Sequence, residues 1–178
     1  SFARQSARLE EDGLVTMTRV PVEPFADFAE RFSAAAREGD FDLIFFSQVF
    51  FNSGFALTDL ESLVAKLPSE PLLVIDGYHG FLARPSGIGG VAARAFYLAG
   101  GYKYAMAGEG ACFLHAPPGV APRPRDTGWY AAFGALEQAG GTGGVAYAED
   151  GRRFFGATFD PSGLYRLRAV LRLLEEIG

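Results

Sequence analysis

The chain has 178 residues, which is enough for one domain with a sizeable hydrophobic core. Hydrophobic residues make up 49% of it, which excludes a disordered chain, and the net charge of −5 without any basic block argues against nucleic acid as a partner. No apolar run approaches the about 18 residues that span a membrane, and the single cysteine excludes an intrachain disulfide and fits a reducing, cytoplasmic setting.

The first elements of the chain predict two helices separated by a strand. A helix is expected over 2–12 and ends near Gly13, and the alternation of apolar and polar residues over 14–20 predicts a strand. A second helix is expected over 24–37, with four apolar residues on one face: Phe25, Phe28, Ala29 and Phe32.

Apolar runs alternating with helical segments follow. The runs over 43–48, 72–76, 95–99 and 110–115 predict strands. A helix over 58–66 has Thr58 and Glu61 at the spacing of a capping box. A short helix is expected over 129–138, and a last one begins at Asp160 with five apolar residues on one face: Leu164, Leu167, Val170, Leu171 and Leu174.

This alternation predicts a single α/β domain over 1–178, with a mostly parallel sheet and flanking helices. We find no internal repeat and no second compositional domain. Cys112 lies in an apolar run, which predicts a buried structural thiol. Two histidines and one cysteine at these spacings do not predict a zinc site.

The residues best suited to chemistry are Asp76 and Lys103. Asp76 ends the apolar run 72–75, so it is expected at the carboxyl edge of a parallel strand, where open α/β sheets bind ligands. Lys103 follows the next strand in a glycine-flanked turn. An acid that keeps a pyridine nitrogen protonated and an amine that forms a Schiff base are what pyridoxal phosphate needs. Gln48 and Asn52 follow another strand end, and neither is assigned a role.

Four motifs in order strengthen this interpretation: Asp76-Gly77-Tyr78-His79, Gly101-Tyr102-Lys103-Tyr104 before Gly108-Glu109-Gly110, Gly128-Trp129, and Phe155-Gly156-Ala157-Thr158. Over roughly residues 40–175 the chain resembles the fold-type I, class V aminotransferase-like enzymes, and is most similar to kynureninase-like members. In the last motif, alanine stands where the family has a second glycine.

The resemblance implies a pyridoxal 5'-phosphate enzyme acting on an amino acid, by transamination or by kynureninase-like hydrolysis. It implies that Asp76 binds the pyridine nitrogen, His79 contacts the ring or its phenolic oxygen, and Tyr102 donates to the phosphate. Lys103 is the catalytic residue, and burial among Tyr102, Tyr104 and Met106 is expected to depress its pKa.

The resemblance also implies a homodimer whose sites are shared across the interface, with Trp129 and Thr158 reaching the partner's cofactor. The family's phosphate-binding turn is not recognisable before Asp76, and its small C-terminal domain is absent. We therefore expect the chain to be a central segment of the family's large domain, inactive by itself.

Two alternatives remain open. The first is a non-catalytic domain that keeps the fold and acts through its dimer surface. The second is an unrelated α/β binding domain.

Overall fold

The computed structural model describes residues 2–135 and 144–178, and the chain divides into two units, one up to Asp40 and the other over Phe41–Gly178. The first unit contains helix α1, Phe2–Glu11, and helix α2, Phe28–Glu38, which a 3₁₀ turn over Phe25–Asp27 precedes. Both helices that the sequence predicts here are therefore confirmed.

The strand predicted over 14–20 is wrong, because this segment is irregular. Its polar groups bind helix α1 instead of a neighbouring strand. The Met17 amide donates to the Glu10 carboxylate at 3.2 Å, and the Arg19 guanidinium donates to the same carboxylate at 2.7 Å. Because the Glu10 carboxylate binds these donors, the segment does not pair as a strand of a sheet.

The second unit contains a four-stranded sheet in the order β1-β2-β3-β4. Its strands are Leu43–Ser47, Leu72–Asp76, Phe96–Gly100 and Cys112–His115. Strands β1, β2 and β3 are parallel, and β4 runs antiparallel to β3. The predicted α/β class with a mostly parallel sheet is confirmed.

The core of this unit lies along the inner strands. Leu73 and Ile75 of β2 have no exposed surface, and Tyr97 and Ala99 of β3 are equally buried. Full burial of a leucine or isoleucine side chain contributes about 1.5–3 kcal/mol, so these positions fix the register of the sheet.

Helix α3, Leu60–Ala65, connects β1 to β2, and its start differs from the prediction. Asp59, not Thr58, is the N-cap. Its carboxylate accepts from the Ser62 amide at 2.9 Å and from the Ser62 hydroxyl at 2.6 Å. The expected capping box is therefore wrong, because the Asp59 carboxylate caps the first turn one residue later.

The last part of the chain contains 3₁₀ turns over Trp129–Ala135 and Gly151–Phe154, and helix α4, Ser162–Ile177. Residues 136–138 of the predicted short helix lie outside the described residues. Pro161, not the predicted Asp160, is the N-cap of α4, although the Asp160 carboxylate accepts from the Ser162 amide at 2.9 Å. Of the residues expected on its apolar face, Leu164 and Leu171 are exposed. None of the helices in the described ranges combines the length and hydropathy needed to cross a membrane.

Candidate functional site

The candidate site begins at the carboxyl end of β2. Asp76 is half-buried and lies between Ser47 of β1 and Leu98 of β3 in the register of the sheet. One carboxylate oxygen accepts from the Tyr78 amide at 2.9 Å, and the Ser47 hydroxyl donates to the other at 3.5 Å. The carboxylate is thus held at the sheet edge that the sequence predicts.

Lys103 lies in the turn that joins β3 to β4. The turn is closed where the Gly101 amide donates to the Ala111 carbonyl at 2.5 Å and the Ala107 amide donates to the Gly101 carbonyl at 2.8 Å. The small side chains of Ala105, Ala107 and Ala111 are buried beneath it. Because small residues fill the inside of the turn, Lys103 lies at its surface and is half-buried.

Helix α4 holds this turn from outside. The guanidinium of Arg166 donates from Nε to the Ala107 carbonyl at 2.8 Å and from Nη2 to the Glu109 carbonyl at 2.5 Å. A Cβ on Gly163 would lie 2.5 Å from the Gly110 carbonyl carbon, so only glycine allows the helix to approach so closely. The position of the Lys103 turn therefore depends on the first turns of α4.

Lys103 and His79 are in direct contact. The Lys103 Nζ atom lies 2.5 Å from His79 Nε2 and 3.4 Å from Nδ1. Burial and the neighbouring Lys103 charge lower the pKa of His79 below its ordinary value, and the Asp76 charge opposes them. As an ammonium, Lys103 only donates hydrogen bonds, so an imidazole without a proton on Nε2 suits this contact.

Aromatic rings border the Lys103–His79 contact. The Phe51 ring centroid lies 5.3 Å from that of His79 and 6.0 Å from Lys103 Nζ, and the Tyr102 centroid lies 5.5 Å from Nζ. These distances fall within the range of cation–π attraction. Phe51 is 79% exposed, so this border is open to solvent.

The expected burial of Lys103 among its sequence neighbours is wrong. Tyr102, Tyr104 and Met106 are 46%, 53% and 74% exposed. Their side chains do not enclose the amine, because the buried positions of the turn belong to its alanines. The partners of Lys103 come from residues before β3 and from the ring of Tyr102.

Trp129 and Thr158 lie in two segments that the structure brings beside each other. The Tyr130 amide donates to the Gly156 carbonyl at 3.2 Å, and the Tyr130 and Phe155 rings stack with centroids 5.5 Å apart. Trp129 and Thr158 are themselves exposed. Over residues 2–135 and 144–178, no contact joins either one to Asp76, His79 or Lys103, and their role across a dimer interface stays a prediction.

Sequence reasoning missed a buried polar pair beneath the site. The Tyr97 hydroxyl donates to Gln48 Oε1 at 2.9 Å, and Gln48 Nε2 donates to the Ser86 carbonyl at 2.7 Å. Burial, with the nearby Asp76 charge, raises the pKa of Tyr97 to about 12. A tyrosine within an apolar strand is a signal for such a pair, because its buried hydroxyl needs a partner.

Cys112 is exposed, which contradicts the predicted buried thiol. It begins β4 at the sheet edge, where the outward face of the strand is open. Burial and the adjacent Cys112, Tyr102 and Asp76 groups raise the pKa of Tyr78. No group of three or more histidine, cysteine or acidic side chains in the described part of the chain is arranged to hold a metal ion.

A scan against models of known protein families finds no match to this chain, and a search of curated proteins finds none either.

Proposed function

We propose that the chain belongs to a pyridoxal 5'-phosphate enzyme of the class V aminotransferase type, with a fold-type I large domain, acting on an amino acid by transamination or by kynureninase-like hydrolysis. One observation supports this proposal above all others. At one edge of a parallel sheet, the Lys103 amine contacts the His79 imidazole, and the Asp76 carboxylate lies near enough for its charge to act on that imidazole. This is the edge at which open α/β sheets bind ligands.

The donor set fits the chemistry of the cofactor. The Asp76 carboxylate accepts from Tyr78 and Ser47, which leaves acceptor capacity for the protonated pyridine nitrogen. His79 lies beside Asp76 and Lys103, where it would orient the ring, and the half-exposed Tyr102 hydroxyl would donate to the phosphate. When bound, pyridoxal phosphate supplies an aldehyde for amines and a ring that withdraws electrons from the substrate.

The contact between Lys103 and His79 supports the role of the lysine. Lys103 must lose a proton before its Nζ atom attacks a carbonyl carbon. The neutral His79 imidazole lies 2.5 Å from Nζ, so it can accept a hydrogen bond from the amine and orient it, while the proton that Lys103 loses passes to solvent. Once free of the carbonyl, Lys103 can move a proton at the α-carbon of the substrate.

Borohydride reduction in the presence of pyridoxal phosphate tests the proposal. Only two lysines occur, Lys66 and Lys103, so peptide mapping gives a direct comparison. In a longer protein that adds the family's phosphate-binding turn and small domain to this segment, we expect an absorbance band at about 420 nm before reduction and a stable label on Lys103 afterwards. Lys66→Ala should keep the band, and Lys103→Ala should lose it. Equal labelling of the two lysines, or a Lys103→Ala enzyme with full turnover, would refute the proposal.

A second candidate function is a non-catalytic domain that acts through a homodimer surface. Three exposed aromatic side chains favour it, and they lie beside the contact of Gly128 with Gly156: Trp129, Phe133 and Phe159. Sedimentation equilibrium of the chain and of its Trp129→Ala variant tests this candidate. A dimer that Trp129→Ala weakens, in a chain that leaves Lys103 unlabelled, would favour it over the enzyme. A monomer would exclude it.

A further inference from the structure

Two glycines flank Tyr78 and His79, and each lies directly on a buried polar side chain. A Cβ on Gly77 would lie 1.9 Å from Cζ of Tyr97, and a Cβ on Gly80 would lie 2.3 Å from Oε1 of Gln48. Real Cβ atoms do not approach other atoms so closely. The turn that bears His79 therefore lies in contact with the Gln48 and Tyr97 side chains at both of its ends.

The Gln48 and Tyr97 side chains are hydrogen-bonded to each other, and Gln48 also binds the backbone around the site. Each is 1% exposed, and the Tyr97 hydroxyl donates to Gln48 Oε1. Gln48 Nε2 donates to the Ser86 carbonyl, at the far end of the loop that follows His79. The backbone amide of Gln48 donates to the backbone carbonyl of Asp76 at 2.9 Å. One residue thus binds the backbone on both sides of the Gly77–Gly80 turn.

The direction of each hydrogen bond is fixed by chemistry. Because the Ser86 carbonyl can only accept, Gln48 must present Nε2 to Ser86 and Oε1 to Tyr97. The Tyr97 hydroxyl must then donate to Oε1. An apolar pair would fill the same volume without any directional constraint, whereas a satisfied buried polar pair fixes one arrangement.

We propose that Gln48 and Tyr97 are positioning residues, which hold the Gly77–Gly80 turn so that His79 contacts Lys103 at the strand edge. The pair touches neither lysine nor cofactor in this arrangement and acts through His79. The consequence for cofactor binding rests on the proposed function. The positioning of His79 itself does not.

The titration of His79 by nuclear magnetic resonance tests the proposal in the full chain without cofactor. Only two histidines occur in the chain, and the Nε2 atom of the other, His115, lies 2.8 Å from the Ala92 carbonyl, so the two resonances can be assigned separately. In Gln48→Met and Tyr97→Phe, we expect the pKa of His79 to rise toward its ordinary value of 6.5, because the imidazole becomes more exposed and moves away from Lys103.

A matched control separates positioning from general loosening. Ile44→Val removes a methylene from a buried position of β1 and weakens the core without touching the pair. It should leave the titration of His79 as in the wild type. The proposal is overturned if the pKa of His79 in Tyr97→Phe, the mildest variant, equals that in the wild type. It is also overturned if Ile44→Val shifts the pKa of His79 as much as Tyr97→Phe does.

Cofactor binding then separates this inference from the proposed function. If pyridoxal phosphate labels Lys103, both variants should weaken its apparent affinity by on the order of tenfold, the scale of one lost hydrogen bond. Labelling of Lys103 with an unchanged His79 titration in the variants overturns the positioning role alone. A shifted His79 titration in the variants, with no labelling of Lys103 in the longer protein that contains this segment, supports the positioning role and refutes the proposed function.

Discussion

Replacement of Tyr97 by phenylalanine should change how stability depends on alkaline pH. At neutral pH, the variant leaves Gln48 Oε1 buried without its donor, which costs about 1–3 kcal/mol. The pKa of Tyr97 is about 12 in the folded chain and 10.0 unfolded, so the unfolded state releases the proton first. Wild-type stability therefore falls as the pH rises through this window, by about 2.7 kcal/mol in all and about 1.4 kcal/mol by pH 11.

Urea unfolding of both proteins at several values between about pH 8 and about pH 11 checks this prediction. The free energy of unfolding of the wild type should approach that of Tyr97→Phe as the pH rises, because only the wild type has this proton to lose. The difference in tyrosinate absorbance between the wild type and Tyr97→Phe identifies the ionisation of Tyr97, since the other tyrosines are common to both proteins. A constant difference between the two proteins across this range would refute the argument that the buried hydroxyl keeps its proton.

Three further changes have defined outcomes. His79→Gln should remove part of the pH dependence of stability below pH 6.5. The pKa of His79 is lowered in the folded chain, so the wild type loses stability as the pH falls from 6.5 through that lowered pKa. Thermal unfolding of both proteins at several pH values measures this difference. Gly80→Ala should lower the free energy of unfolding in urea by about 1–3 kcal/mol, because the new Cβ would overlap the Gln48 side chain. Gly89→Ala is the matched control, since a Cβ there has no atom within 4 Å. Arg166→Ala should speed hydrogen exchange in the turn that bears Lys103, since two of its carbonyls lose their donor.

Each of these changes has its own control. A pH profile of His79→Gln identical to that of the wild type would contradict a neutral imidazole in the fold. The cost of Gly80→Ala should shrink in a Gln48→Ala background, where the obstructing oxygen is gone, and full additivity would exclude the contact. Arg168→Ala is the matched change for Arg166→Ala, and equal exchange in both would mean that helix α4 does not hold the turn.

The sheet edge could be predicted because it depends on short-range patterns. Continuous apolar runs such as 72–76 form buried parallel strands, and a carboxylate at the end of one must lie at the carboxyl edge. Asp76 and Lys103 follow neighbouring strands, so their common edge was predictable without contacts. The antiparallel direction of β4 follows from its connection, a turn too short for a crossover.

Features that depend on competing partners could not be predicted in the same way. The alternation over 14–20 fits a strand, but Glu10 binds the amide of Met17 and the side chain of Arg19. Thr58 and Asp59 are both suitable caps, and only the backbone geometry selects Asp59. A sequence pattern shows which groups can bind, whereas the fold decides which of them meet.

The surroundings of Lys103 also depend on which groups the fold brings together. Its neighbours along the chain are apolar or aromatic, yet Tyr104 and Met106 turn to solvent because the alanines of the turn fill the interior. The partner of the amine is instead His79, which lies 24 residues earlier in the chain. His79 is in turn supported from β3 by Tyr97 and from the end of β1 by Gln48, two residues 49 positions apart. The contact that Lys103 makes with His79 thus involves a pair that shares no motif with the lysine, so a motif alone identifies the amine but not its surroundings.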